Sequence, residues 1–144
     1  MKRFATKLAA ARIATMLTAA VIAEIRAHHR AGQVVRDILA IEEHGTHVVM
    51  ELAHELRCKP ARVRRLAQFA ATFTSEELMV MEDRRMPDGR PLALSHLLAL
   101  LPIANRWERA NIARAAADQG LSVAALKTLV GALGESRKRR GVIA

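Results

Sequence analysis

The chain has 144 residues, with 23 Lys and Arg against 14 Asp and Glu, and its formal net charge is +9. A chain of about 150 residues buries roughly 70% of the surface that it exposes when unfolded, so one domain can form without disulfides or a structural metal. Disorder of the whole chain is therefore excluded. With no Tyr, three Phe and one Trp, the sequence lacks the aromatic residues of a β-sandwich, while its many Ala, Leu, Arg and Glu residues favour helices. We predict an all-α protein.

The basic residues are mostly arginine, which accounts for 18 of the 23. A guanidinium group makes paired hydrogen bonds to phosphate and to guanine, so nucleic acid is the first partner to consider. Solubility, or a genome rich in G and C, would account for the same excess. The single cysteine, Cys58, excludes an internal disulfide framework and is typical of a reducing compartment. We expect a cytoplasmic protein that associates with the nucleoid.

Residues 1–31 contain no Gly or Pro and many Ala residues, which predicts one long and moderately amphipathic helix. The segment is similar to a signal peptide, but Lys7 and Arg12 interrupt its apolar stretch and no cleavage site follows. Its longest uncharged run, residues 13–23, is shorter than the ~20 residues that cross a bilayer. This helix could dock on its own domain, pair with a second copy, bind another protein or lie on a membrane surface, and we expect no membrane partner.

Turn-forming and capping residues divide the rest of the chain into short helices. Gly32 is expected to separate the N-terminal helix from the next one, and Pro60 to open a helix because its ring suits a first turn. The helices predicted in this way are residues 33–43, 46–56, 60–71, 75–84, 93–101, 105–119 and 123–133. The C-terminal segment has too little apolar surface to pack, which predicts a flexible basic tail. The predicted organisation is an N-terminal helix at 1–31, a helical domain at 32–134 and a tail at 135–144.

Residues 49–68, VMELAHELRCKPARVRRLAQ, have the spacing of a helix-turn-helix. This motif needs a small residue on its first helix, a tight turn four residues later and a buried branched residue six beyond that, as Ala53, Arg57 and Val63 provide. The apolar residues expected to hold the two helices together are Leu52, Leu56 and Leu66. Arg57 stands where Gly is usual, because a side chain in the left-handed turn conformation costs about 1 kcal/mol.

The second helix of this motif exposes residue types that contact DNA. If Val63, Leu66 and Ala67 face inward, the residues left outside are Lys59, Arg62, Arg64, Arg65 and Gln68. From Arg57 to Thr74 there are five basic residues and no acid, so the positive charge is local. Arg and Gln in the N-terminal half of a recognition helix read bases in the major groove. Alternatively, these arginines form a solvated face that pairs with Glu51, Glu55 or Glu76.

The segments ELAHELRCKPARVRRLAQFA, RPLALSHLLALLPI and RANIARAAADQGLSVAALKTLV carry a family resemblance across residues 49–133. They resemble the DNA-binding region of ParB and KorB partition proteins, where a helix beginning at a Ser-His pair and a Gly-Leu-Ser turn follow the helix-turn-helix. Here the pair is Ser95 and His96, and the turn runs from Gly120 to Ser122. The same segments are similar to the N-terminal helical domain of YhcG-type nucleases.

Both families have a further domain that this sequence does not resemble, a nucleotide-binding domain in ParB proteins and a nuclease domain in YhcG-type proteins. The resemblance therefore implies DNA binding without CTP hydrolysis or DNA cleavage. The residues that it places against DNA bases or phosphates are Lys59, Pro60, Ala61, Arg64 and Arg65.

Other chemistry has weaker support in the sequence. His47, Glu51 and His54 share a helical face near His44, but exposed polar residues repeat at this spacing in any amphipathic helix, so we expect no metal. There is no phosphate-binding glycine loop, no nucleophile elbow and no identifiable base for Cys58, so we expect neither an enzyme nor a cofactor. Trp107 could stack on a base, but a single Trp on an amphipathic helix is more often a core residue.

The sequence thus predicts an all-α helix-turn-helix protein that binds double-stranded DNA without catalysis, as a transcription regulator or a plasmid or phage partition or maintenance factor. Residues 60–71 would enter the major groove while residues 46–56 cross the backbone. The residues expected to add phosphate contacts are Arg137, Lys138, Arg139 and Arg140. Homodimerisation through the N-terminal helix is expected. The alternative is a non-catalytic accessory subunit of a separately encoded nuclease or partition ATPase. Should the first helix pair not bind DNA, residues 105–119 are the next choice.

Overall fold

The computed structural model describes residues 2–41 and 45–143, and every regular element within these ranges is a helix. The all-α prediction is therefore confirmed. The helices are α1 (Lys2–Ile41), α2 (Gly45–Glu55), α3 (Pro60–Thr72), α4 (Ser75–Glu82), α5 (Leu94–Ala99), α6 (Arg106–Gln119) and α7 (Val123–Ile143). They form two compact units. The α2–α3 unit is Ala23–Leu78, and the α6–α7 unit combines Met1–Ile22 with Met79–Ala144.

Helix α1 runs unbroken through Gly32, so the predicted end of the N-terminal helix at residue 31 is wrong. Gly32 is buried against α3, where an added Cβ would lie 2.1 Å from the carbonyl oxygen of Leu66 and 2.9 Å from the Cβ of Ala70. The glycine thus allows two helix backbones to approach closely instead of ending a helix. Close packing of this kind outweighs the ~1 kcal/mol that Gly costs inside a helix relative to Ala.

The core of the α2–α3 unit lies where these three helices meet. Val35 of α1, Ala53 of α2 and Val63 of α3 belong to one buried cluster. Phe69 and Phe73 are fully buried beside it, with ring centroids 5.0 Å apart. The Nε2–H group of His29 donates a hydrogen bond to the carbonyl oxygen of Phe73 over 2.8 Å, so the second half of α1 is fastened to the end of α3.

The α6–α7 unit is organised by local capping signals and small side chains. The Asn105 side chain accepts hydrogen bonds from the first N–H groups of α6, and Gly120 ends the helix with φ 63°. The buried face of α6 contains Ala113 and Ala116, whose size permits close packing. His96 accepts the Ala93 N–H at Nδ1, so its Nε2–H donates to a carbonyl in the turn after α6 over 2.9 Å. This histidine has a structural role.

Helix α7 continues to Ile143, so the prediction that it ends at residue 133 and gives way to a flexible tail is wrong. Residues 135–140 are helix-forming apart from one serine, and Gly134 is exposed with open space around it. In addition, the guanidinium of Arg137 forms an ion pair with Glu108 at the start of α6. Glu108 and Arg137 are 29 residues apart in sequence, so the local sequence pattern did not predict this contact.

By length and composition, α1 is long and apolar enough to cross a membrane, and most of its apolar stretch is exposed. Signal sequences and core helices meet the same criterion. The absence of a membrane partner and the cytoplasmic location stay predictions.

Candidate nucleic-acid interface

The turn between α2 and α3 has the conformation expected from its sequence spacing. Arg57 has a φ of 54° and is the only non-glycine residue with positive φ in the described ranges. The N–H of Cys58 donates to the carbonyl of Ala53 over 2.9 Å, and that of Arg57 donates to the carbonyl of His54 over 3.1 Å. These two bonds form a Schellman motif, in which glycine usually occupies the position of Arg57. The Arg57 side chain is exposed, so the cost of this conformation arises from the residue's own Cβ and backbone.

The residues expected to pack α2 against α3 are buried or partly buried, with one exception. Ala53 and Val63 are buried, and Leu52 and Leu66 pack partly buried against them. Leu56, expected in the same contact, is 58% exposed. It follows the last turn of α2, where the chain turns away towards Arg57, so its side chain points outward.

One face of α3 presents polar and basic side chains to solvent. Ala61, Arg64, Arg65 and Gln68 are exposed, and their spacing of three and four residues places them together opposite buried Val63. Within the described residues no ion pair joins Arg64 or Arg65 to an acidic group of α2 or α4. In this structure Arg64 and Arg65 therefore form no ion pair with Glu51, Glu55 or Glu76, and the solvated-face alternative stays a prediction.

The N-terminal end of α3 adds to the positive potential of this face. Pro60 is half-buried in the first turn, and Lys59 is exposed before it with no side-chain hydrogen bond to the helix end. Unpaired N–H groups at a helix start carry a partial positive charge that favours phosphate. Ala61, Arg64, Arg65 and Gln68 thus share one face of α3, and Lys59 is exposed at the N-terminal end of the same helix.

Arg62 is exposed but lies on the side of α3 that faces α1. Its charge, together with the larger effect of burial, lowers the pKa of His28 below the ordinary 6.5, while Glu24 acts in the opposite direction. The His28 ring packs edge-on against Phe69 with centroids 4.9 Å apart, and its Nε2 is buried with no hydrogen-bond partner. Arg62 therefore belongs to the edge of the α3 face.

The four basic residues expected in a tail belong instead to the last turns of α7, in the α6–α7 unit. Arg137, Lys138, Arg139 and Arg140 are all exposed.

Helix α6 is the second choice for a recognition helix. Its Arg109 cannot contact DNA, because Arg109 is 3% exposed and donates a hydrogen bond to the carbonyl of Ile103 over 2.7 Å.

Trp107 is 70% exposed, so the expectation that it anchors the core is wrong. It lies in the first turn of α6, on the side opposite the small residues that face the core. A helical projection of α6 would have indicated this, since Ile112, Ala113 and Ala116 already complete one apolar face.

The histidines considered as metal ligands do not form a site among the residues that the structure describes. His47 lies 2.7 Å from Glu51, a pairing of residues four apart on an exposed helix face. His44 lies outside the described residues, and no group of three potential ligands occurs within them. Cys58 packs half-buried against the α2–α3 core.

An open groove of about 660 Å³ runs along the α6–α7 unit, between the first half of α1 and the loop that contains Gly89. Its lining is mainly apolar, and its histidine, His96, already has hydrogen-bond partners at both ring nitrogens.

Comparison with protein-family models, curated proteins and solved structures finds no match for this chain.

Proposed function

We propose that the protein binds double-stranded DNA through α2, the turn at Arg57 and α3, which together act as a helix-turn-helix without catalysis. The observation that carries this proposal is the left-handed Arg57 turn between buried Ala53 and buried Val63. It orients α3 so that Arg64, on its opposite face, is exposed. Spacing, backbone conformation and surface charge therefore agree on one element.

In this proposal α3 enters the major groove while α2 crosses the phosphate backbone. Ala61 is small, so the start of α3 can approach the base edges closely. Arg64 and Arg65 then reach guanine, and Gln68 reaches adenine, through paired hydrogen bonds. Lys59 and the N–H groups of the first turn contact phosphate, which sets the register without reading sequence.

The basic end of α7 supplies phosphate contacts that carry no sequence information, from Arg137 to Arg140. The resemblance to partition proteins favours a role as a transcription regulator or a plasmid or phage maintenance factor in the cytoplasm. These roles share one mechanism, which is occupancy of a DNA site.

The proposal is tested by selecting sequences from a random duplex pool with the purified chain, then measuring affinity for the enriched site. Replacing Arg64 and Arg65 by Ala should weaken binding by about 1–3 kcal/mol for each base-contacting Arg while changing stability by less than ~0.5 kcal/mol. The matched control, Arg30→Ala with Lys127→Ala, removes the same charge from exposed positions on α1 and α7. Equal losses in both double variants, or no enriched sequence from the parent, would contradict the proposal.

The first half of α1 favours a homodimer. Its large exposed apolar residues are Phe4, Leu8, Ile13, Met16 and Leu17. Pairing with a second copy would cover them and double the DNA contacts, as is usual for helix-turn-helix proteins. A molar mass in solution of twice the chain mass of 15.8 kDa is the expected result.

A second candidate function rests on the same exposed residues. They could hold the subunit of a separately encoded nuclease or partition ATPase, with this chain as its non-catalytic accessory. A monomer in solution that binds no duplex DNA would favour this candidate, and association with liposomes would instead indicate a membrane role for α1.

A further inference from the structure

Trp107 is the single tryptophan of the chain, and it is 70% exposed in the first turn of α6. Tryptophan is highly buried on average, so an indole ring left in water usually marks a contact surface. The Arg106 guanidinium carbon lies 4.9 Å from the centroid of the ring. This cation–π contact orients the indole and adds positive charge beside it.

The exposed side of α6 continues from Trp107 with polar residues suited to nucleotides. Asn111 and Arg114 are both exposed and follow Trp107 by four and seven residues, which places all three on one helix face. Seven residues of helix extend for roughly 10 Å, so the ring, the amide and the guanidinium lie in a row. An aromatic plane, an amide and a cation are the groups that bind a base and its phosphate.

The end of α7 brings further positive charge to the start of α6. Arg137 forms its ion pair with Glu108, the residue next to Trp107. Arg140 lies three residues further on, on the same side of α7, whereas Lys138 and Arg139 are exposed on other sides of that helix. The acidic residues of the same region are Glu108, Asp118 and Glu135, so positive charge is in excess.

We propose that this Trp107 surface, made of Arg106, Trp107, Asn111, Arg114 and the basic end of α7, binds single-stranded nucleic acid. A base stacks on the indole while phosphates of the same strand contact the α7 cations. An unpaired strand is required because a duplex hides the faces of its bases inside the helix stack. An acidic peptide would satisfy the charge but would leave the ring without a flat partner. Aromatic stacking combined with a basic surface is how proteins hold single strands without reading sequence.

The proposal goes beyond duplex recognition by α3 and shares only the basic end of α7 with it, since Arg106, Trp107, Asn111 and Arg114 belong to the α6–α7 unit and take no part in duplex binding. The chain has no Tyr and one Trp, so its intrinsic tryptophan fluorescence reports on Trp107 alone. This property allows a direct test with unlabelled full-length protein.

An oligothymidylate of about 16 nucleotides, the upper range for one compact binding site, is titrated into the protein. We expect saturable quenching of the fluorescence, with an affinity that falls as salt rises. Duplex DNA of the same length and polyglutamate should produce little quenching. Equal quenching by duplex DNA or polyglutamate, or no saturable quenching by the oligothymidylate, would overturn the proposal.

Variants are compared by the anisotropy of a labelled oligothymidylate, with helicity measured by circular dichroism. Trp107→Ala should lower the affinity by about 5- to 150-fold, and Trp107→Phe should retain part of it. Arg114→Ala with Arg140→Ala should reduce the salt slope by roughly 1.4, because each phosphate contact on a single strand contributes about 0.7. Unchanged affinity in Trp107→Ala would refute base stacking.

The Arg64→Ala, Arg65→Ala variant separates this proposal from the α3 proposal. We expect it to lose selective duplex binding and to keep the oligothymidylate quenching of the parent. If the quenching disappears in that variant, the strand binds on α3, and the Trp107 surface is not the site. If the quenching persists while the parent selects no duplex sequence, the single-strand proposal stands without the α3 proposal.

Discussion

Arg57 holds a left-handed conformation, with φ 54°, in a turn where glycine is the usual residue. Replacing it by Gly removes the contact between the Cβ and the backbone that makes this conformation unfavourable. The strain costs a side chain roughly 1–2 kcal/mol. Gly in turn loses about 0.5–1 kcal/mol through its greater freedom in the unfolded chain. We therefore expect Arg57→Gly to raise the free energy of unfolding by about 0.5–1 kcal/mol.

The side chain itself contributes little to this balance, because Arg57 is exposed and its backbone N–H bond to His54 does not depend on it. Arg57→Ala is the matched control, since it removes the same charge and length but keeps the strained conformation. The stability of this control should stay within about 0.5 kcal/mol of the parent.

Chemical denaturation of the three proteins, at one pH and one protein concentration, measures the difference. Thermal unfolding gives a second readout, in which 1 kcal/mol corresponds to a rise of roughly 2–4 °C for a chain of this size class. Equal stability of Arg57→Gly and Arg57→Ala, or a less stable glycine variant, would refute the assignment of strain to this turn.

Gly32→Ala should destabilise the protein by about 1–3 kcal/mol, because its Cβ would overlap the carbonyl of Leu66 at 2.1 Å, whereas Gly131→Ala in open space should stabilise it by up to ~1 kcal/mol. Urea denaturation of both variants measures this, and equal effects would contradict the close crossing of α1 and α3. Burial, and then the charge of Arg62, lower the pKa of His28 in the folded protein below the ordinary 6.5. As pH falls through about 6.5, His28 therefore takes up a proton in the unfolded chain but stays neutral in the folded one. Stability should therefore fall on acidification from pH 6.5, and His28→Gln should lose less than the parent between the same two pH values; identical losses would show that His28 does not titrate in this way.

Features with a local cause could be predicted from the sequence. Composition indicated helices, Pro60 opens α3, and Gly120 ends α6, because caps and ring constraints act within one turn of the chain. The positions of Ala53, Arg57 and Val63 could be predicted for the same reason, since a short spacing specifies which side chains face each other across a tight turn. The exposed face of α3 followed from that spacing.

Features that depend on distant residues could not be predicted. In the sequence Gly32 is typical of a helix end, and only its close contact with Leu66 of α3 explains why it lies inside α1. Residues 135–143 are typical of a flexible tail, and only the ion pair between Arg137 and Glu108 of α6 shows why they continue α7. Tryptophan is a residue type that is usually buried, yet Trp107 is exposed because small side chains already fill the buried face of its helix. Packing between segments far apart in sequence decides such cases, because the same residue is favourable inside or outside according to what surface remains to be covered.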